Sequence, residues 1–124
     1  MATPHFTDAE LACRCGCGML PAPDFIEKIE ALRLLAGFPL IVTSAARCAA
    51  HNRAVSETGD SGPHTTGRAI DISVQGAQAY RLAQLALAVG ITGIGVKQMG
   101  AGRYLHLDDL QDSATSPRPR LWSY

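Results

Sequence analysis

Residues 64–74 read His-Thr-Thr-Gly-Arg-Ala-Ile-Asp-Ile-Ser-Val and run from a polar loop into an alternating segment. In residues 69–74, apolar and polar side chains alternate, which is the period of a β-strand with one buried face. The pattern predicts a strand with both isoleucines and Val74 facing the core and Asp71 on the opposite face. His64 lies in the preceding loop. An imidazole and a carboxylate are therefore expected close to one junction between loop and strand.

The segments on either side predict helices and further strands around this one. Apolar residues recur at helical spacing between positions 25 and 36, and positions 77–89 are dense in alanine and leucine. Helices are predicted at 6–10, 25–35, 48–55 and 77–89, and strands at 39–44, 69–74, 91–96 and 104–107. The strand at 39–44 is expected to be buried, because it is apolar and β-branched. This order predicts an α+β fold in which a small antiparallel sheet is flanked by helices.

Length and charge limit the classes of function that need to be considered. The 124 residues predict one domain over 1–124, with a cysteine-containing segment at 1–20 and a C-terminal tail at 113–124. That tail ends in Leu-Trp-Ser-Tyr and is expected to dock on the body. Eleven basic and eleven acidic side chains cancel, so we expect no nucleic-acid partner. We also expect no membrane span and no signal peptide, since no apolar stretch has the required length or flanks.

The cysteines leave several interpretations open. Cys13, Cys15 and Cys17 form a C-x-C-x-C cluster, and Cys48 is the fourth. This spacing differs from the C-x-x-C pair of zinc ribbons. We favour reduced or partly paired cysteines that pin an N-terminal loop, with a bridge to Cys48 as one option. A second, structural metal is the alternative, because sequence alone does not determine connectivity.

Three side chains are candidates for a metal site with chemical activity. His64 lies in the polar loop, Asp71 in the strand after it and His106 in the last predicted strand. Two imidazoles and one carboxylate suit Zn²⁺ and leave a coordination position open. Asp108 lies two residues after His106, so both side chains should face the same side of the strand, where a second carboxylate could act as a general base.

Several of these segments resemble those of the D-alanyl-D-alanine carboxypeptidase-like zinc peptidases, which share the hedgehog/DD-peptidase fold. Residues 64–71 match the family's H-x-x-G-x-A-x-D motif, and residues 106–108 match its H-x-D form of the last ligand strand. Residues 44–47 are similar to its S-x-x-R segment, which is followed here by an H-N pair at 51–52. Residues 120–124 are similar to the tail of phage-type members. Four separated segments in the same order make the resemblance specific.

Carried over position by position, the resemblance implies roles for individual residues. His64, Asp71 and His106 would bind Zn²⁺. Arg47 would act in catalysis by holding a carboxylate or carbonyl of the substrate, a task suited to its fixed fork of donors. Ser44 is assigned to substrate binding and not to nucleophilic attack, because no base is arranged for it.

The sequence departs from the family pattern at two places. Many members have a serine two residues before the first ligand and an acidic base three residues before the last, where this chain has Gly62 and Arg103. An arginine cannot accept a proton. Asp108 is the expected catalytic base, and Asp109, which should point to the opposite face, is the second choice. Alternatively, Asp108 orients His106 and the base is unassigned.

The resemblance implies a zinc metallopeptidase that hydrolyses an amide bond in peptidoglycan stem peptides. Both a D-Ala-D-Ala carboxypeptidase and an endopeptidase of the endolysin type fit, and an amidase or esterase would differ only in the bond cut. The competing interpretation is a non-catalytic, zinc-stabilised module for cell-wall binding or phage assembly. We expect a monomer of phage or prophage origin that is made in the bacterial cytoplasm and acts on the cell wall.

Overall fold

The computed structural model describes residues 3–124, so the first two residues of the predicted 1–20 segment lie outside the described part. The helices are α1 (Asp8–Leu11), α2 (Pro23–Ala36), α3 (Ala49–Val55) and α4 (Gly76–Ala88), with a 3₁₀ turn at Pro63–Thr66. The strands are β1 (Ile41–Ser44), β2 (Ala69–Ser73), β3 (Gly93–Lys97), β4 (Tyr104–Asp108) and β5 (Arg120–Ser123). The predicted α+β class is confirmed.

The five strands form one open sheet in the order β1-β2-β4-β3-β5. The three pairs among β1, β2, β4 and β3 are antiparallel, whereas β5 pairs with β3 in parallel. Strands β2 and β4 therefore lie side by side at the centre. Both of these strands carry candidate ligands.

One face of the sheet packs on α2 and α4 and encloses the core. Ile70 and Ile72 of β2 and Leu105 and Leu107 of β4 are almost completely buried, as their alternation predicted. Burial of such side chains contributes about 1.5–3 kcal/mol each before entropy is counted. The opposite face of the same strands is left for polar side chains.

The helix boundaries follow local sequence signals closely. Thr7 caps α1 and forms a reciprocal capping box with Glu10. Helix α2 ends at Gly37, whose φ of 72° is left-handed and therefore suits glycine. Helix α3 begins after Cys48, whose sulfur accepts a hydrogen bond from the backbone N–H of His51.

One prediction about strands is corrected, and one is made more specific. Strand β1 is predicted to be buried, but it is an edge strand whose side chains alternate between exposed and half-buried. The C-terminal tail is predicted to dock on the body, and it does so as strand β5, Arg120–Ser123, which pairs with β3. An apolar run does not distinguish a central strand from an edge strand, and a four-residue strand has no period to detect. No helix within residues 3–124 is long and apolar enough to cross a bilayer.

Candidate metal centre

The three candidate ligands converge at the polar face of the central strands. Asp71 of β2 lies directly opposite His106 of β4 in the antiparallel register. His64 comes from the 3₁₀ turn, which ends at Gly67 with a φ of 75°. A Cβ at Gly67 would lie 3.2 Å from the backbone nitrogen of Ala22. This position therefore needs glycine for both its backbone conformation and its close packing, and the turn brings His64 beside β2.

The donor atoms of this cluster are close enough to share one ion. Nε2 of His64 lies 3.2 Å from Oδ1 of Asp71, and Nδ1 of His106 lies 3.0 Å from the same oxygen. Two ligands of a tetrahedral zinc ion, each at 2.0–2.1 Å from the metal, are about 3.3 Å apart. The spacing of these side chains therefore fits Zn²⁺.

The hydrogen bonds made by the other ring nitrogens fix where each imidazole carries its proton. Nδ1–H of His64 donates to the carbonyl oxygen of Ala45 at 2.7 Å. Nε2–H of His106 donates to Oδ2 of Asp108 at 2.7 Å. In the neutral rings, the remaining nitrogens carry lone pairs and point at a carboxylate oxygen of Asp71. Three acceptors that face one another need either a proton or a metal ion between them, and the spacing of these atoms suits a metal ion.

The electrostatics of the cluster also favour positive charge. When no metal is bound, a proton carried by an imidazole can lie between the rings and Asp71. In that state, burial raises the pKa of Asp71, but the hydrogen bonds from His106 and His64 outweigh it and hold that pKa well below its usual range. Burial lowers the pKa of His106, but its hydrogen bonds to Asp108 and Asp71 outweigh it and raise that pKa overall. The Asp71 carboxylate is thus ionised at neutral pH and available to a cation.

Asp108 lies behind His106 and not in the open part of the site. Its side chain is fully buried and accepts two hydrogen bonds from Arg118. Nε of Arg118 donates to Oδ1 at 2.8 Å, and Nη2 donates to Oδ2 at 2.7 Å. Burial raises the pKa of Asp108, but the hydrogen bonds from Arg118 and His106 lower it to about 2. These contacts match the alternative in which Asp108 orients His106.

Two glycines of β3 make room for the tail over this face of the sheet. A Cβ at Gly93 would lie 2.3 Å from Oδ1 of Asp108, and a Cβ at Gly95 would lie 2.7 Å from the ring of Trp122. The Trp122 and His106 ring centroids are 5.2 Å apart, and Arg118 lies over the indole. Neither Arg118 nor Trp122 is among the site residues predicted from the sequence. The alternation of glycines at 93 and 95 was the available signal, because it indicates a bulky group above the strand.

Ser44 is the last residue of β1, and Arg47 follows three residues later, close to it in space. The Nη2 nitrogen of Arg47 donates to Oγ of Ser44 at 2.9 Å, and Nη1 donates to Oδ1 of Asn52 at 3.0 Å. Asn52 is buried and donates in turn to Oγ1 of Thr58 at 2.8 Å. Ser44 thus contacts the arginine that the sequence analysis assigned to the substrate.

The hydrogen bond between Asn52 and Thr58 explains why residue 62 is a glycine in this chain. A Cβ at Gly62 would lie 2.2 Å from Oγ1 of Thr58. That hydroxyl, held by Asn52, occupies the space that a serine side chain would take.

An open cleft of about 430 Å³ lies over the cluster. Its lining includes Arg47, His64, Tyr104, Arg120, Trp122 and Tyr124. Within residues 3–124, Asp71 is the only residue with a carboxylate side chain that lines the cleft. Arg103 is in the turn before β4, where its Nε donates to the carbonyl of Gly100. Asp109 faces away and pairs with Lys28 and Arg68.

The cleft lies on a mostly antiparallel sheet, has two imidazoles and one carboxylate that could hold a metal ion, and includes Arg47 in its lining, which together define a candidate metallohydrolase. A comparison with protein families gives a match to Peptidase M15 over residues 4–108. The chain belongs to this family, the zinc D-Ala-D-Ala carboxypeptidase-like peptidases, as the resemblance in the sequence predicted. Family membership supports a hydrolase of the metallopeptidase class. No curated protein matches the chain.

Proposed function

We propose that this protein is a zinc-dependent peptidase that hydrolyses an amide bond in peptidoglycan stem peptides. One observation carries the proposal: three acceptor atoms of His64, Asp71 and His106 converge, while the proton-bearing nitrogens of both imidazoles point to other acceptors. The M15 family supports the peptidase class, and its members act on peptidoglycan peptides. Such a substrate lies outside the cytoplasm, so we further propose a phage- or prophage-encoded protein that acts on the cell wall.

His64, Asp71 and His106 would hold the zinc ion through the three atoms that face one another. When bound, zinc supplies a Lewis acid that polarises the scissile carbonyl and increases the acidity of a water molecule. The protein fixes the ligand geometry through the Ala45 carbonyl and the Asp108 carboxylate, each of which holds one imidazole in the tautomer that metal binding requires.

Arg47 would bind the carboxylate or the carbonyl of the peptide. Its guanidinium group has five N–H donors, of which Ser44 and Asn52 take two. The other N–H donors can bind a substrate in the cleft, and the hydrogen bonds to Ser44 and Asn52 hold the guanidinium group in one orientation. Ser44 therefore contributes to substrate binding by orienting Arg47.

Asp108 would act as a positioning residue and not as the general base. Its carboxylate is fully buried and both of its oxygens are engaged by Arg118 and His106. The phenol of Tyr104 lines the cleft, and burial together with the neighbouring Tyr124 raises its pKa. Tyr104 thus remains protonated at neutral pH, and we propose that it donates a hydrogen bond to the developing oxyanion.

The test is digestion of purified peptidoglycan with and without a chelator, with the fragments identified by mass spectrometry. Release of D-alanine indicates a carboxypeptidase, and conversion of crosslinked to monomeric stem peptides indicates an endopeptidase. Activity should disappear with the chelator, return with zinc and be absent in His106→Ala. Undiminished cleavage by zinc-free protein or by His106→Ala would refute the proposal.

A second candidate function follows from the acidic groups of the cleft. Within the described residues, the only carboxylate side chain in the lining is that of Asp71, a proposed ligand, so no second carboxylate side chain is placed to move a proton. This favours a non-catalytic, zinc-stabilised module that binds the cell wall or takes part in phage assembly. Sedimentation with peptidoglycan, stoichiometric zinc and no cleavage products would support this alternative.

A further inference from the structure

The four cysteines converge in the fold, although Cys48 is more than thirty positions from the other three. Cys13, Cys15 and Cys17 lie in the loop after α1, and Cys48 caps α3. All four sulfur atoms lie within 4.8 Å of one another. The cluster lies outside the His64–Asp71–His106 site and has no part in the chemistry proposed above.

The distances between the sulfur atoms suit a shared ion better than disulfide bonds. Sγ of Cys15 lies 3.4 Å from Sγ of Cys13 and 3.6 Å from Sγ of Cys48, and all four cysteines are free. A disulfide bond requires about 2.05 Å. In a tetrahedral site with zinc–sulfur bonds of about 2.3 Å, the sulfur atoms are about 3.8 Å apart. Disulfides would bring the sulfurs together in pairs, whereas here Cys15 has two near sulfur neighbours.

Backbone N–H groups also point at these sulfur atoms. The N–H of Cys48 donates to Sγ of Cys13 at 3.3 Å, and the N–H of His51 donates to Sγ of Cys48 at 3.4 Å. Donors aimed at sulfur stabilise the thiolate form, which is the form that binds a metal.

We propose that Cys13, Cys15, Cys17 and Cys48 bind a second Zn²⁺ ion in a closed, structural site. Four soft sulfur ligands in a tetrahedral set suit zinc and leave no position for a substrate. On binding, each thiol that is still protonated releases its proton to solvent, and the zinc keeps its oxidation state. Three of the ligands come from one C-x-C-x-C segment and the fourth from a distant segment, an arrangement that differs from paired C-x-x-C motifs.

This site would hold the segment that organises the other metal centre. The backbone N–H of Ala46 donates to the carbonyl of Leu11, and the N–H of Arg47 donates to the carbonyl of His64. The carbonyl of Ala45 accepts the Nδ1–H of His64. Residues 45–47 thus contact the first ligand directly, and Cys48, the next residue, would tie them to the loop at 13–17. The second zinc would therefore fix the position of Arg47 and the tautomer of His64.

Metal content separates the two sites. We expect about two zinc ions per chain in the purified wild type, measured by inductively coupled plasma mass spectrometry after desalting. The variant His64→Ala/His106→Ala should keep one ion, held by the cysteines. The variant Cys15→Ser/Cys17→Ser, which changes the two exposed cysteines, should lose that ion and keep the one at His64 and His106 when zinc is in excess, with a lower affinity than the wild type.

Cobalt substitution and thiol titration give readouts independent of peptidase activity. Cobalt-loaded wild type and His64→Ala/His106→Ala should both show thiolate-to-cobalt charge-transfer absorption, and their thiols should react slowly until a chelator is added. If the cysteine variant does not fold, this comparison decides the matter.

Three results would overturn the second site. The first is a folded Cys15→Ser/Cys17→Ser protein whose zinc content is unchanged. The second is a His64→Ala/His106→Ala protein that contains no metal and has four freely reactive thiols. The third is a wild-type protein whose cysteines form disulfide bonds or bind iron. Loss of cleavage alone concerns only the proposed peptidase function.

Discussion

Replacement of Asp108 by asparagine distinguishes the two roles considered for this carboxylate. Asparagine has nearly the same shape but offers one acceptor oxygen and one NH₂ group in place of two acceptor oxygens. The NH₂ group must then face a donor of Arg118 in either orientation, because Arg118 donates to both oxygens in the wild type, and in one orientation it also faces Nε2–H of His106. If it faces His106, the proton of the imidazole moves to Nδ1, the atom that points at Asp71.

The expected losses follow from the burial of this cluster. The Arg118 side chain is only 4% exposed, and it keeps its charge when Asp108 is neutralised. Removing one partner of a buried ion pair costs about 3–5 kcal/mol. For a domain of this size that corresponds to a fall in Tm of about 10–20 °C. Loss of the partner that orients a ligand histidine lowers metal affinity by roughly 10–100-fold.

The assays are thermal unfolding, zinc titration against a competing chelator, and peptidase activity at saturating zinc. Asp108→Asn should unfold at lower temperature and bind zinc more weakly, but regain most of its activity when zinc is in excess. Arg118→Gln/Asp108→Asn removes both charges and should recover part of the lost stability, as a double-mutant cycle would show.

The opposite pattern would refute the positioning role. A general base predicts unchanged zinc affinity and a loss of about 10²–10⁴-fold in rate that excess zinc does not restore. If Asp108→Asn gives that result, the buried carboxylate must reach the substrate through a rearrangement that this structure does not contain.

Three further predictions concern residues outside the ligand set. Arg47→Lys should lower kcat/KM by about 10²-fold at unchanged zinc content, because lysine lacks the planar set of N–H donors of the guanidinium group. Arg53→Lys, a control on the exposed side of α3, should leave kcat/KM unchanged, and equal activities of the two variants would exclude substrate binding by Arg47. Gly95→Ala should cost about 1–3 kcal/mol and shift the emission of Trp122, the single tryptophan, in denaturant unfolding; an unchanged spectrum and midpoint would contradict the contact. Burial raises the pKa of Glu30, but hydrogen bonds from the N-terminal segment outweigh burial and lower this pKa overall. The stability that ionised Glu30 contributes is therefore complete above its ordinary pKa and is lost as the pH falls from there through the lowered pKa of the folded state. Glu30→Gln should make the free energy of unfolding in urea less dependent on acid pH, and an unchanged pH dependence would contradict this prediction.

Local patterns in the sequence predict the parts of the fold whose cause is local. The alternation in β2 predicts both the strand and the outward direction of Asp71, because side chains in a strand alternate between faces. The apolar spacing of α2 and its glycine end predict that helix within two residues at each end. The edge position of β1 is not predictable in this way, since it depends on which strands pair, and pairing is decided by distant residues.

In the candidate site, too, some features are predictable from local sequence and others depend on distant residues. The ligand types and the facing of His106 follow from the sequence pattern and the family resemblance. The pairing of Asp108 with Arg118 does not, because it depends on the tail returning along β3, and a four-residue parallel strand has no detectable period. The sequence therefore predicts that Asp108 lies on the same strand face as His106, but it does not predict the arginine that neutralises Asp108.

The orientation of both imidazoles depends on groups outside the three ligands. His64 is oriented by the carbonyl of Ala45, and His106 by a carboxylate whose charge is balanced by the tail. A backbone carbonyl is insensitive to the side chain at its position, so only displacement of the segment can disturb His64. The four cysteines are tied to that segment at Cys48, whereas the tail is tied to β3 through close contacts at Gly93. The two imidazoles are thus held by independent supports, and loss of the cysteine metal should affect His64 before His106.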